Sequence, residues 1–317
     1  MKRYEELTKR YLEFLEQGTY SEQPANLYEP INYIMALGGK RMRPTLVLLT
    51  YDSIKEPNTR ALELAHSVEL FHNFTLMHDD IMDEAPIRRG KRSVHEKWDL
   101  PTAILSGDLM LIKTYQQLGK IDISSSILND FNIMAEEVCK GQQLDMDFEQ
   151  RDDVMLEEYL QMIDWKTAVL LAFSMKAGAL LAGASQSEAD HFYQAGLKIG
   201  RGFQLMDDYL DAFGDEEKFG KQVGGDIIEG KKTYLVLKTL EKLDEGARGT
   251  FLDLFSLDDE TEKVQKVKEI FTSSGAVDDI KNAMSNCFEE ADDLLQRIPV
   301  QTDGLKDYIH YLSGRDH

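Results

Sequence analysis

Apolar residues return every three or four positions through most of the chain. In residues 61–78, Leu64, Ala65, Val68, Phe71, Leu76 and Met77 keep that step, the period of one helical face. The same pattern covers 102–118, 127–146, 156–183, 188–212, 233–243, 260–273 and 277–296. Helix-breaking residues punctuate it: Pro24, Pro30, Gly38-Gly39, Pro57-Asn58, Pro86, Pro101, Gly183, Gly214 and Gly224-Gly225. Alternating segments of strand type are missing. About ten helices with short connections predict an all-α bundle, whose core-facing side chains are the natural place for a site. With no Pro/Ser-rich linker, composition shift or tandem repeat, residues 1–317 are expected to form a single domain.

Composition narrows the function without naming it. The chain has 317 residues, 42% apolar and 29% charged, with a formal net charge of −21. That length suffices for a large core. A surface so acidic disfavours nucleic acid and an anionic membrane, both of which recruit Lys and Arg. Two cysteines, Cys139 and Cys287, without a Cys-x-x-Cys pair, exclude a zinc knuckle, an iron–sulfur site or a disulfide scaffold. The N-terminal MKRYEELTKRYLEFLEQ is amphipathic and lacks the apolar core of a signal peptide. No uninterrupted apolar stretch approaches the ~18 residues of a membrane span. The expectation is a cytoplasmic protein without such a span.

Two segments break the amphipathic rule in the same way. Asp79, Asp80 and Asp83 lie within Leu76–Asp83, and Asp207, Asp208 and Asp211 within Gln204–Asp211. On a helix, residues four apart share a face, so Asp79 meets Asp83 and Asp207 meets Asp211. Like charges at that spacing repel by roughly 0.2–0.5 kcal/mol. No Lys or Arg stands on the same turn; Arg88-Arg89 and Lys218, Lys221 come just beyond. One such triplet reads first as a solvated acidic patch. Two, each ending an apolar helix, point to divalent cations, and magnesium takes one or two carboxylates plus waters and substrate phosphates. An EF-hand is excluded, because its Gly and distal Glu are absent.

A metal-held diphosphate also needs fixed cations. Against the acidic background stand Gly38-Gly39-Lys40-Arg41-Met42-Arg43-Pro44, Arg88-Arg89-Gly90, Lys166-Thr167, and Lys221 followed by Gly230-Lys231-Lys232-Thr233. Each alone reads as a solvated turn or helix end; their company with the Asp triplets gives them weight.

The ordered set GGKRMRP, HDDIMDEAPIRRG, GQQLD, KTA, GFQLMDDYLDAFGD and GKQVGGDIIEGKKTY resembles the trans-isoprenyl diphosphate synthases, the family of farnesyl and geranylgeranyl diphosphate synthases. It runs from about residue 27 to 240, in the family's order. The resemblance implies an all-α bundle of isoprenoid synthase type around a deep central cavity, working as a homodimer. It implies that Asp79, Asp80, Asp83, Asp207, Asp208 and Asp211 bind a three-magnesium cluster on an allylic diphosphate. Arg88, Lys166, Lys221 and Lys231 would hold the same diphosphate. Lys40, Arg43, His72 and Arg89 would bind isopentenyl diphosphate, and Thr167 and Gln204 would turn oxygens toward the carbocation. The reaction implied is ionisation, condensation and loss of a proton, with no protein nucleophile; none of Ser-His-Asp or Cys-His type is evident.

The tail of the product is expected to run along the helix before Asp79. Phe74 and Thr75 lie five and four residues ahead of it. An isoprene unit is similar in length to one 5.4 Å helical turn, so one bulky side chain can set the product. Phe74 as the floor implies C15 or C20, and the first motif lacks the two-residue insertion of many bacterial farnesyl synthases, which leans to C20. Phe71 and Met110 are further candidates for the wall. Other readings are a class I terpene cyclase, an all-α nucleotide pyrophosphohydrolase and a non-catalytic regulatory subunit. A cyclase does not need Lys40, Arg43 and Arg89; an inactive subunit is expected to have lost some of the Asp or Lys/Arg positions.

Overall fold

Asn58, Asp99, Asp244 and Asp259 each accept a hydrogen bond from the backbone amide three residues on, at 2.7–3.2 Å. Each thereby opens a helix, a cap worth about 1 kcal/mol. The computed structural model describes residues 1–214 and 223–314 and is helical nearly throughout them. Its contacts group the chain into two compact units: Met1–Asn132, Phe173–Tyr193 and Ile298–Tyr308 in one, Ile133–Ala172, Gln194–Arg297 and Ile309–His317 in the other.

The first unit contains α1 (Arg3–Glu16), α2 (Ala25–Ala36), α3 (Met42–Asp52), α4 (Thr59–Met82), a hairpin of β1 (Ile87–Arg88) and β2 (Lys91–Arg92), α5 (Val94–Lys97) and α6 (Leu100–Lys120). From Ala61 to Phe71 every residue of α4 except Glu63 is buried, so the helix is enclosed on all sides rather than along one stripe. Around it Ile31, Ile34, Leu70, Met77, Ala103 and Met110 form a core, with Phe74 and Ile81 at its margin. Gly107 lets α6 lie against α4, because a Cβ there would stand 2.2 Å from His78 Nε2.

Next come α7 (Ser125–Glu149), α8 (Leu156–Ile163), a π-helical turn over Asp164–Ala168, α9 (Val169–Ala182) and α10 (Gln186–Phe213). They are followed by α11 (Gly225–Glu229), α12 (Tyr234–Lys242), α13 (Glu245–Asp253), α14 (Glu260–Ser274), α15 (Ala276–Gln296) and α16 (Asp303–Ser313). The core of the second unit is built on Phe148, Tyr159, Leu205, Leu235, Phe251, Phe271 and Ile280.

Three departures from the periodic reading have physical causes. Pro30 does not interrupt the chain but lies buried inside α2. Its missing amide forfeits one bond near the helix start, and burial of Ile31, Ile34 and Met35 on the same helix offsets that. Strand is not wholly absent, since Ile87 pairs with Arg92 and Arg88 with Lys91 across a two-residue turn. The segment 156–183 is helical through Leu156–Ala182, but a π-helical turn over Asp164–Ala168 interrupts its α-helical hydrogen bonding. Among the described residues, Leu156–Ala182 is the one helical stretch long and apolar enough to cross a membrane, with 61% of its apolar window buried. A buried window of that kind is also what the core helix of a globular bundle shows.

His66 on α4 is buried, with its ring edge-on to Phe14 at 5.9 Å and its Nδ1 without a partner. Burial lowers its pKa to about 4, and Lys120 and Arg41 add to that. The unfolded value is near 6.5, so the folded chain keeps the ring neutral where the unfolded chain protonates it. Stability from this source is complete above pH 6.5 and drains as pH falls toward 4. In His66→Leu, about 2 kcal/mol of the stability the wild type loses between pH 7 and pH 5 is expected to be retained, read by urea denaturation. Equal losses in both proteins contradict it.

Candidate active site

The last turn of α4 carries Asp79 and Asp80, and Asp83 is its C-cap, its amide donating to the Asp79 carbonyl at 2.8 Å. A helix C-terminus already bears about half a negative charge, so three carboxylates sit where cations are favoured. They do not share one fate. Asp79 is half-buried and Asp83 exposed, whereas Asp80 is 1% exposed and turned inward. There Arg88 donates to its Oδ1 from Nε at 2.8 Å and Nη2 at 2.5 Å, and Oδ2 is buried without a partner. Burial pushes the Asp80 carboxyl above its ordinary value, and Arg88 opposes the shift.

Arg88 reaches Asp80 from the hairpin. Arg89 and Gly90 form its turn with φ of +52° and +72°, the two left-handed residues of a type I′ connection. Arg89 then donates to the Gly38 carbonyl. Its guanidinium lies so close to Gly39 that a Cβ there would be 2.6 Å from Cζ, and Gly39 has φ +112°. Arg43 Nη1 is 3.0 Å from His72 Nε2. Burial, followed by Arg43, Arg89 and Arg88, holds the His72 pKa well below its ordinary value. A neutral imidazole accepting from Arg43 fits that. The structure thus gathers Arg43, His72 and Arg89 around the Gly38-Gly39 turn, and Lys40 is exposed on the same turn.

In the second unit the same division recurs at the C-terminal end of α10. Asp207 and Asp211 are half-buried, and Asp208 is 5% exposed. Asp208 accepts from the Tyr159 hydroxyl, from Gln204 Nε2 at 3.2 Å and from the Tyr234 amide at 3.3 Å. Burial and the nearby Asp226 raise its pKa to about 7, against those hydrogen bonds. Asp211 accepts from the Asp226 amide at 3.0 Å, and its carbonyl from the Gly224 amide at 2.7 Å. Lys231 pairs with Glu229 at 2.9 Å and lies 3.9 Å from Asp226. A cavity of about 130 Å3 is lined by Asp145, Lys166, Thr167, Gln204, Asp208 and Lys231, among others. Lys221 lies outside the described residues.

Lys166 and Thr167 owe their placement to the π-helical turn. Arg201 grips Asp164 through both carboxylate oxygens. A Cβ on Gly141 would stand 2.2 Å from the Lys166 amide nitrogen, and one on Gly200 2.4 Å from the Ala168 Cα. Two glycines therefore bring α7 and α10 against the turn, backbone to backbone. Lys166 Nζ donates to Asp145 at 2.5 Å, and the Thr167 hydroxyl to Gln204 Oε1 at 3.0 Å. Sequence reasoning missed Asp145, Tyr159 and Asp226 as individuals. Asp145 ends the GQQLD motif and Asp226 sits in GGDIIEGKK, so both were within reach; Tyr159, on an ordinary amphipathic helix, gave no signal.

No group of three or more His, Cys, Asp or Glu side chains is gathered around one point among the described residues. The donor set still suits magnesium: oxygen-only carboxylates in i, i+4 pairs at negative helix ends, too few to complete a coordination sphere without phosphate and water. Residues 24–273 match the family model described as polyprenyl synthetase. The chain belongs to that family.

It is 40% identical over 303 residues to the geranylgeranyl diphosphate synthase of Methanosarcina mazei, covering 93% of this chain and 91% of that one. To the geranylfarnesyl diphosphate synthase of Natronomonas pharaonis it is 36% identical over 277 residues, 81% and 80% of the two chains. Among solved structures, a geranylgeranyl pyrophosphate synthase superposes with a TM-score of 0.94 at 42% identity, over 99% of each chain. Membership in the polyprenyl synthetase family sets aside the nucleotide pyrophosphohydrolase, and the fold is that of the prenyl synthases.

The glycine contacts give a test away from the ligands themselves. Gly141→Ala forces backbone against backbone at Lys166, so the turn shifts. Activity is expected to fall at least about tenfold, since small misplacements of positioning groups are costly. Steady-state rates beside a thermal melt check this; unchanged kcat in a folded variant refutes it.

Proposed function

We propose that this chain is a trans-prenyltransferase that condenses isopentenyl diphosphate with an allylic diphosphate of C5–C15, as a cytoplasmic homodimer in which residues 1–317 make up a single isoprenoid synthase domain. One observation carries the reading: two carboxylate clusters at helix C-termini stand in the same chain as a cationic cluster in which Arg43 meets His72 and Arg89 donates to the Gly38 turn. The first arrangement suits a diphosphate held through metal, the second a diphosphate held without it. A terpene cyclase has one diphosphate to bind and no use for the second. A regulatory subunit is expected to have lost site positions, yet Asp79, Asp83, Asp207, Asp211, Lys166 and Lys231 all stand.

Asp79, Asp83, Asp207 and Asp211 are assigned to about three magnesium ions, while Asp80 and Asp208 brace Arg88 and Gln204. Bound magnesium supplies positive charge that stabilises the departing diphosphate. Arg88, Lys166, Lys221 and Lys231 neutralise the remaining phosphate oxygens, and the Lys166–Asp145 pair keeps that ammonium aimed while the site waits. The allylic C1–O bond breaks with both electrons leaving on the diphosphate. Thr167 and Gln204 oxygens face the carbocation, which the double bond of isopentenyl diphosphate attacks through C4; the C2 proton then passes to the released diphosphate. The rest of the task is orientation and exclusion of water.

The product tail runs along α4. Phe74 packs on His78 at 4.9 Å and on Phe71 at 5.6 Å. Behind it Phe71 meets Phe131 at 5.3 Å, and Phe131 meets Phe173 at 5.7 Å. The Thr75 hydroxyl donates to the His72 carbonyl at 2.8 Å and so folds back on its own helix, which leaves Phe74 as the floor with the aromatic stack behind it. This favours C20, in keeping with relatives named for geranylgeranyl diphosphate. For the dimer, α6 exposes Ile104, Leu105 and Ile112 at 42–59%, an apolar stripe of the kind that marks an interface.

With labelled isopentenyl diphosphate and C5, C10 or C15 primers, magnesium-dependent C20 product is expected, and Phe74→Ala is expected to add about one isoprene unit, one helical turn of space. No elongation from any primer sinks the activity; an unchanged Phe74→Ala product sinks the floor. Ile112→Glu is expected to yield monomers by light scattering, and a dimer that survives it moves the interface elsewhere.

A further inference from the structure

Arg41 has no part in the chemistry above, yet it is the most constrained residue of its turn. It precedes α3 with φ +47°, a left-handed conformation that is unfavourable for a non-glycine residue. Its side chain is buried. Nη1 pairs with Glu69, and Nη2 donates to the Met35 carbonyl at 2.5 Å. Met35 lies in the last turn of α2, and Glu69, 2% exposed, lies on α4 three residues before His72. One buried guanidinium therefore ties the end of α2 and the start of α3 to the middle of α4.

The cationic cluster stands on that tie. Lys40 and Arg43 flank Arg41 in sequence, and Arg43 reaches His72 one turn beyond Glu69. Arg89 donates to Gly38 in the same turn. Burial and the neighbouring arginines lower the Arg89 pKa, while Glu69 raises it. Glu69 is thus the counter-charge that lets these cations gather before any diphosphate arrives. Stability alone does not account for the pair, because replacing a buried ion pair by apolar residues is often neutral or stabilising.

We infer that the buried Arg41–Glu69 pair is a positioning device for the isopentenyl diphosphate site, fixing the Lys40–Arg43 turn to α4 and setting a buried counter-charge beside its cations. This rests on the assignment of Lys40, Arg43, His72 and Arg89 to that diphosphate. The decisive variant is the charge-neutral double replacement Arg41→Met/Glu69→Leu, with Arg41→Lys as a second that keeps the charge and loses the fork. For both, KM for isopentenyl diphosphate is expected to rise about tenfold or more, with kcat and the allylic KM within about twofold. Calorimetric binding of inorganic pyrophosphate in EDTA is expected to weaken in parallel. An unchanged isopentenyl KM, or an equal rise in both KM values, overturns the inference. Lys40→Ala and Arg43→Ala separate the two levels. If these leave the isopentenyl KM unchanged, the site assignment fails; if they raise it while the Arg41 variants do not, the positioning role alone fails.

Discussion

Concentrated negative charge at the C-terminal ends of α4 and α10 is the constraint on which the site depends. Each cluster faces two penalties together: repulsion between carboxylates one turn apart, and placement against the negative end of the helix dipole. Together these reach the order of 1–3 kcal/mol per cluster, a real fraction of the 5–15 kcal/mol that holds a typical domain together. On the proposed assignment, bound metal and diphosphate would offset that cost.

The cationic cluster poses the opposite problem and solves it differently. Arginines cannot shed their charge, so the chain supplies a buried carboxylate, Glu69, and spends left-handed backbone at Arg41 and Arg89 to point the side chains. Gly39 is needed for a separate reason, the room it leaves beneath the Arg89 guanidinium. The acidic clusters crowd like charges at helix ends; the basic cluster carries part of its own compensation. On the proposed assignment, that difference separates a diphosphate held through metal from one held by cations alone.

Most of the helices were legible because the 3.6-residue period is a local property, and α4, α6, α7, α10, α14 and α15 lie within a few residues of the periodic segments. The motifs were legible because carboxylates and cations in apolar surroundings are conspicuous. What escaped depends on partners distant in sequence. The π-helical turn exists because Gly141 and Gly200 approach it and Arg201 grips Asp164, and no local pattern in residues 164–168 announces that. The hairpin escaped because its turn is Arg-Gly rather than the Asn-Gly that signals a type I′ connection. Pro30 misled because a buried helix tolerates near its start what an exposed one does not.

The division of each Asp triplet follows from helix geometry. At about 100° per residue, positions one and five of Asp-Asp-x-x-Asp lie some 40° apart, while position two lies about 100° from the first and 60° from the fifth. In both triplets that second carboxylate is the buried one, and a buried carboxylate without a partner is costly. At Asp80 the partner is Arg88, delivered by the hairpin; at Asp208 it is Tyr159, Gln204 and the Tyr234 amide. Different partners meet the same requirement in the two units. The repeated spelling of the motif therefore covers two jobs in one turn: a pair of carboxylates one turn apart, proposed here as metal ligands, and a third that binds the helix end to the groups lining the site.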